Sequence, residues 1–293
     1  MNNYSYLVPD YHLHSCFSSD SDSKPEDIIK TAETLGLGSI CFTDHNDLDF
    51  PDNPENITFD LNIDDYIEYL KDLKTRYENK LDIKTGVEQG LMPSTCDTLN
   101  NYSKEHPGLD FIICSSHVVN NMDPYYKESW KNPDGTYKDE NELYIHYFED
   151  MLYIVSHFND YNVYGHIDYI FRYGPTDNPD FTKVNAENFK EIYFPRYKDI
   201  IYEILKNIVE NGKGIEINTG SLYRGMDYAH PHIEILKLYK ELGGEIITFG
   251  SDAHDLTHIG YQFKEASEMI SSMGFRYFST FKDMKPDFHN LSD

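Results

Sequence analysis

Ile246-Ile247-Thr248-Phe249-Gly250-Ser251-Asp252-Ala253-His254 sets a pattern that the rest of the chain repeats. A short β-rich run, 246–251, ends on two side chains able to bind metal or move protons, Asp252 and His254. The run 39–43 ends on Asp44-His45, 83–88 on Glu88, and 110–115 is followed by His117. The run 163–168 carries His166 and closes on Asp168. The first run, 6–12, ends on His12, with His14 two residues on, so both rings can face one side as the chain leaves the strand.

Between these runs lie helical stretches. Ser23-Lys24-Pro25-Glu26 reads as a capping box with proline near the helix start; Ile28, Ile29, Ala32 and Leu35 follow at helical spacing, and Gly36 is the stop. Tyr66, Ile67, Leu70, Leu73 and Tyr77 share one face of a helix over 64–79, and Ser94 with Asp97 caps another. Further helices are expected over 140–157, 186–211, 231–242 and 266–273, a sixth strand over 214–218, and one more extended piece at 275–280. Seven β-then-α steps predict an α/β protein with a mainly parallel sheet. No repeat, low-complexity segment or Pro/Gly-rich linker divides the chain, so one domain over 1–293 is expected, with long loops at 46–63, 119–139 and 172–185.

In α/β barrels, residues distant in sequence converge at the C-terminal ends of the strands. Nearly every strand end here supplies a histidine or a carboxylate. Each alone reads more readily as a surface or hydrogen-bonded core residue; together they predict a metal cluster. Imidazole with carboxylate suits zinc, manganese or iron, and the lack of cysteine ligands argues against a closed structural zinc site.

Composition narrows the class of partner. The 293 residues carry 25 Lys+Arg against 51 Asp+Glu, a formal net charge of −26. Such a surface repels nucleic acid and anionic membranes. Hydrophobic residues at 39% and aromatics at 15% suffice for a core. No run approaches the ~18 apolar residues of a spanning helix, and Met1–Ser5 lack the basic start of a secretory leader. Four cysteines (Cys16, Cys41, Cys96, Cys114) without a C-x-x-C pair suggest neither a disulfide framework nor a cysteine zinc site, so a soluble, reduced, cytoplasmic protein is expected.

His12-Leu13-His14, Thr43-Asp44-His45, Ser115-Ser116-His117, Gly165-His166-Ile167-Asp168 and Ser251-Asp252-Ala253-His254 resemble the motifs of the polymerase-and-histidinol-phosphatase (PHP) superfamily. Gly86-Val87-Glu88-Gln89-Gly90, the stretch 115–124, and Ile217-Asn218-Thr219 up to Arg224 are more narrowly similar to its histidinol-phosphate phosphatase branch. The likeness runs from about residue 8 to 275. It implies a distorted seven-stranded, TIM-like (β/α) barrel holding three divalent metals at the C-terminal strand ends. By matching position, His12, His14 and Asp252 would hold the first; Glu88 would bridge it to a second held by His117 and His166; Asp20, His45 and His254 would hold the third. Some relatives carry His where this chain has Asp20, which also sits in an Asp/Ser-rich turn.

The activity implied is a phosphomonoesterase that hydrolyses L-histidinol phosphate in histidine biosynthesis. Three divalent cations against Glu88, Asp20 and Asp252 leave a cationic site that admits a small phosphate dianion. Metal coordination lowers the pKa of bound water toward ~7, giving a hydroxide for in-line attack on phosphorus. Arg172 resembles the family's phosphate-contacting arginine and Arg224 is a second candidate, planar guanidinium being suited to phosphate. For the leaving-group proton the candidates are His254 or His45, if not committed to metal, and equally Asp168 or a metal-bound water. The alternatives are a PHP phosphoesterase for another small phosphate (nucleotide, sugar phosphate or phosphotyrosine), or a non-catalytic metal-binding module. His106, His146, His157 and His289 read as helix or surface residues, and His230 and His232 as non-metal residues. Tyr125, Tyr126 and Trp130 either cover the substrate or pack their own loop.

Overall fold

The computed structural model describes residues 8–291; Met1–Ser5 and the first two residues of the expected opening strand, Tyr6 and Leu7, lie outside the described residues. Seven short strands alternate with helices: β1 Asp10–Leu13, α1 Pro25–Leu35, β2 Ser39–Phe42, α2 Ile63–Tyr77 and β3 Asp82–Gly90. Two single-turn helices, α3 Cys96–Leu99 and α4 Tyr102–Glu105, precede β4 Phe111–Ser115, α5 Glu140–His157 and β5 Val163–Tyr164. Then α6 Ala186–Asn188 runs through a wide π turn, Phe189–Tyr193, into α7 Phe194–Glu210. The series continues with β6 Gly214–Asn218, α8 Gly220–Tyr223, α9 Ile233–Glu241, β7 Ile247–Gly250 and α10 Phe263–Ser272. A hairpin of β8 Tyr277–Lys282 and β9 Lys285–Asn290 ends the chain's described part.

β1 to β7 pair in parallel and in sequence order. β1 meets β7 through one bridge, Leu13 to Ala253, where the His14 N–H donates to the Ala253 carbonyl (3.0 Å) and the Asp252 N–H to the His12 carbonyl (2.9 Å). The result is the expected distorted seven-stranded barrel, closed along one weak seam. Helices cover the outside with the apolar stripes their spacing dictates, for instance Ile28, Ile29 and Ala32 on α1 and Tyr66, Leu70 and Leu73 on α2.

Strand residues alternate inward and outward, and the inward ones change character along the barrel axis. Toward the strand starts, Tyr11, Cys41, Phe111, Ile113, Val163 and Phe281 form a buried apolar cluster. Phe281 is carried in by the hairpin, lies 4.9 Å from the Phe111 ring, and donates its N–H to the Tyr11 hydroxyl (3.1 Å). Toward the strand ends, the interior is polar.

Several local expectations change. The first helix has Lys24 as its cap with no side-chain bond, because the Ser23 hydroxyl instead donates to the His254 carbonyl (3.2 Å); Pro25 opens the helix and Gly36 closes it with φ 79°. The helix expected from Ser94 becomes α3 and α4, and the Thr95 hydroxyl turns back to Met92. β5 stops at Tyr164, since 169–172 already winds into a 3-10 turn. The extended piece at 275–280 belongs to a hairpin whose turn, Asp283-Met284, has positive φ at both residues.

Candidate metal centre

Glu88 occupies the middle of the polar end, 1% exposed on β3. Its Oε2 lies 3.0 Å from His12 Nε2, 3.4 Å from His14 Nε2 and 3.1 Å from His45 Nδ1. Its Oε1 lies 3.2 Å from His117 Nε2 and 3.0 Å from His166 Nε2. His14 Nε2 is 3.6 Å from Asp252 Oδ1, and Asp20 Oδ2 is 3.1 Å from His254 Nε2 and 3.7 Å from His45 Nε2. All nine side chains singled out as ligands in the sequence therefore meet in one cluster.

Five imidazoles around one carboxylate exceed what hydrogen bonding can satisfy. His12 Nε2, His14 Nε2, His45 Nδ1, His166 Nδ1 and Glu88 Oε2 are buried without a hydrogen-bond partner. Orphaned polar atoms of this kind are expensive in a protein interior, and a cation in contact with the four that face the cluster, all but His166 Nδ1, removes the expense. Four triads have ligand atoms within 4.8 Å of one another: His12, His14 and Asp252; His12, Glu88 and His166; His45, Glu88 and His117; His14, His45 and His254. The donors are all imidazole and carboxylate, so the set fits divalent transition metals. Burial alone would raise the Glu88 carboxyl, but His12, His117 and His45 hold it well below the ordinary range. Burial together with the charges of His254 and His45 drives His14 well below its usual value, toward the neutral form a metal requires.

The orientation of these rings is set from behind. Asp47 Oδ2 takes His117 Nδ1 at 2.6 Å, Glu216 Oε1 takes His12 Nδ1 at 2.5 Å, and Ser18 Oγ pairs with His14 Nδ1 at 3.1 Å. Each contact aims the opposite ring nitrogen at the cluster. Asp44 braces the loop that carries Asp20 by accepting the N–H groups of Ser15 (2.6 Å) and Ser18 (3.1 Å). Sequence reasoning missed Asp47 and Glu216. Asp47 lies in a long loop without periodicity. Glu216 had a signal: a charged residue inside the fully buried strand Gly-Ile-Glu-Ile-Asn.

A cavity of about 280 Å³ opens above the cluster. Arg172 lines it, its guanidinium over the Tyr169 ring at 4.8 Å, with Nε and Nη2 buried and unpartnered and the Asp252 carboxylate 3.7 Å away. Arg224 also reaches the cavity, but Nη1 donates to Asp252 Oδ2 (3.0 Å) and Nη2 to the Asp252 carbonyl (3.0 Å). Its geometry is that of a brace for a ligand carboxylate, which displaces the expectation of a free phosphate-binding group. Asp252 itself sits at φ 55°, and although burial would raise its carboxyl, Arg224, His12 and His254 hold it far down.

Asp168 is placed away from the cavity. It is fully buried, one oxygen 2.7 Å from His230 Nδ1 and the other accepting the His232 N–H (2.9 Å), so the proton-donor role expected for it has no access to a leaving group. His45 and His254 both line the cavity. Its mouth carries Glu55, Asp123, Phe50, Phe59, Tyr125 and Tyr126. Burial pushes the Asp123 carboxyl up to about 6, against the opposing Tyr125 N–H and His117. Trp130 packs its own loop instead, 1% exposed with its indole N–H on the Pro124 carbonyl (2.9 Å). Among the described residues, no helix is long and apolar enough to cross a membrane.

The PHP domain model matches residues 10–220. The histidinol-phosphatase of Lactococcus lactis is 32% identical over 282 residues, covering 95% of this chain and 96% of that one. That of Saccharomyces cerevisiae is 23% identical over 291 residues, covering 89% and 87%. The crystal structure of histidinol phosphate phosphatase from Lactococcus lactis, complexed with zinc, L-histidinol and phosphate, superposes with a TM-score of 0.75 at 30% identity, covering 97% of this chain and 100% of that one. A ligand cluster at the strand ends, a matched family model and similarity over nearly the whole length lead to one conclusion: the chain belongs to the PHP family, on its histidinol-phosphatase branch.

Proposed function

We propose that this chain is a metal-dependent phosphomonoesterase that hydrolyses L-histidinol phosphate to L-histidinol and phosphate, serving histidine biosynthesis in the cytoplasm. One observation carries the reading: a buried guanidinium, Arg172, with no hydrogen-bond partner at Nε or Nη2, lines the same cavity as the nine-residue cluster. Three divalent ions, zinc, manganese or iron, would be held by His12, His14 and Asp252, by Glu88, His117 and His166, and by Asp20, His45 and His254. When bound, they supply Lewis acidity and a water of lowered pKa.

The chain's own residues do the rest. Arg172 offers Nε and Nη2 to two phosphate oxygens, a bidentate grip already oriented by Tyr169. Arg224 fixes Asp252 and keeps its carboxylate ionised. His254, which lines the cavity with Nε2 3.1 Å from Asp20, would be the proton donor to the leaving alkoxide in a form whose third site is empty. Glu55 and Asp123 at the mouth suit the substrate's ammonium group, and Phe50, Phe59 and Tyr126 suit its flat imidazole. Four unpaired cysteines support a reducing compartment.

Phosphate release from L-histidinol phosphate, measured against uncharged monoesters and a nucleotide on metal-reconstituted protein, tests this. Strong preference for histidinol phosphate, lost in His117→Ala, is the expected result. Equal turnover across the panel would remove the substrate assignment.

A further inference from the structure

The stretch Ile217-Asn218-Thr219 stands out in the sequence, yet none of its residues belongs to the ligand cluster. The strand before it explains why. Glu216 is inward-facing on β6, 1% exposed, and both of its oxygens are engaged. Oε1 is 2.5 Å from His12 Nδ1; Oε2 accepts the His166 N–H at 3.1 Å and the Asn218 side-chain N–H at 3.1 Å. Asn218 is itself pinned, its Oδ1 accepting the Gly220 N–H at 2.9 Å. One carboxylate thus touches two strand ends that each carry a cluster histidine, and a fixed amide holds that carboxylate in place.

Space for it is made by a residue on the neighbouring strand. A Cβ at Gly250 would collide with Glu216 Oε1 and with the His12 Cβ. Gly90 stands in the same relation to Asp47, the carboxylate behind His117: a Cβ there would overlap the Asp47 side chain. Two glycines, on opposite walls of the barrel end, each give way to a carboxylate behind an imidazole. A pattern repeated on unconnected strands is more than local packing.

We propose that Glu216 is a positioning residue that serves two ligands of this centre at once, fixing the His12 tautomer and the path of the His166 backbone so that both rings present a lone pair to a divalent cation. A carboxylate can only accept, so the proton between it and His12 belongs to Nδ1, and Nε2, which faces Glu88 at 3.0 Å, is the nitrogen that a cation would take. Glu216 does not line the substrate cavity; its influence passes through the metal. The inference rests on the metal-centre part of the proposed function and not on the identity of the substrate.

Zinc is the probe. The full chain, loaded with zinc, is mixed with an excess of chromogenic chelator, and the rate of zinc release is followed for the parent, Glu216→Gln and Asn218→Ser. Melting temperatures of the metal-stripped chains are measured in parallel. Glu216→Gln keeps size and burial while losing the ionised acceptor, and is expected to release zinc about 10–100-fold faster. Its metal-stripped melting temperature should stay near the parent's, and its loss of turnover should fall on kcat with KM nearly unchanged. Asn218→Ser, which only loosens Glu216, is expected to give a smaller acceleration of the same sign, and keeps the test open if the first variant folds poorly. Release within twofold of the parent in both variants overturns the proposal. So does faster release accompanied by an equal fall in metal-stripped melting temperature, which marks a packing role. A parent chain that takes up no zinc overturns the metal reading and the inference with it.

Discussion

The two ends of this barrel are made by the same seven strands and differ in what those strands turn inward. Near the strand starts the interior is Tyr11, Cys41, Phe111, Ile113 and Val163, closed from below by Phe281 of the terminal hairpin. Toward the strand ends it is His12, Glu88, Ser115, His166 and Glu216. Apolar burial stabilises the first end. The second holds orphaned nitrogens and a carboxylate that would destabilise it in the absence of cations. Stability and chemistry are therefore separated along the axis by roughly a strand's half-length, and each end should be breakable without the other.

The sharpest break is at the polar end. His117→Ala removes a contact to Glu88 and the shorter of two histidine contacts to Asp47, which keeps His45 at 3.6 Å. Phosphate release should fall by about 10³-fold or more, beyond the ~10–100-fold typical of an outer partner, while guanidinium unfolding of the metal-stripped chain shifts little. Phe281→Ala does the converse: truncating a 2%-exposed ring in the apolar end should cost about 3–4 kcal/mol in denaturant unfolding, with kcat of the folded fraction unchanged. Next, Arg172→Ala should lower kcat/KM by roughly 10²–10³-fold, and Arg172→Lys should recover only part, since a point charge cannot grip two oxygens.

The smallest effect belongs to the mouth. Asp123→Asn should reduce the preference for an ammonium-bearing ester by roughly tenfold in kcat/KM. The same variant has a pH signature. Burial pushes the Asp123 carboxyl up from 3.8 to about 6 in the folded chain. The folded state holds this proton more tightly, so the group's contribution to stability falls as pH rises from about 4 through 6. Removing the charge should raise the melting temperature at pH 7 and leave it nearly unchanged below pH 4; a gain of equal size at both would show that the ionisation is not responsible.

Much of the polar end was readable because its residues repeat a local form, a short β run closed by His or Asp. His12, His117 and Asp252 announce themselves in this way, and β6 and α5 keep the bounds read from the sequence. What stayed hidden depends on contacts between distant segments. Glu216 shows only as a charge in a buried strand, and its partner His12 lies 204 residues away. Asp168 has the right position after His166, yet His230 and the His232 N–H claim both of its oxygens. The hairpin was unreadable because its turn uses Asp283-Met284 in place of the usual Asn-Gly or Asp-Gly. Arg224 was visible as a cation near a strand end, but whether it meets phosphate or Asp252 is decided by α8, a single turn without periodicity.

The seam between β1 and β7 has a consequence of its own. Only a few backbone contacts, among them the His14 and Asp252 amides, stitch the first strand to the last. The side chains of His12 and His14 on one lip and of Asp252 on the other form one of the four candidate triads. An ion seated there is a clasp across the lips as well as a reagent. In deuterium exchange, the amides of His14 and Asp252 should therefore be the slowest of their neighbourhood when the clasp is fastened, and the first to exchange once a chelator undoes it.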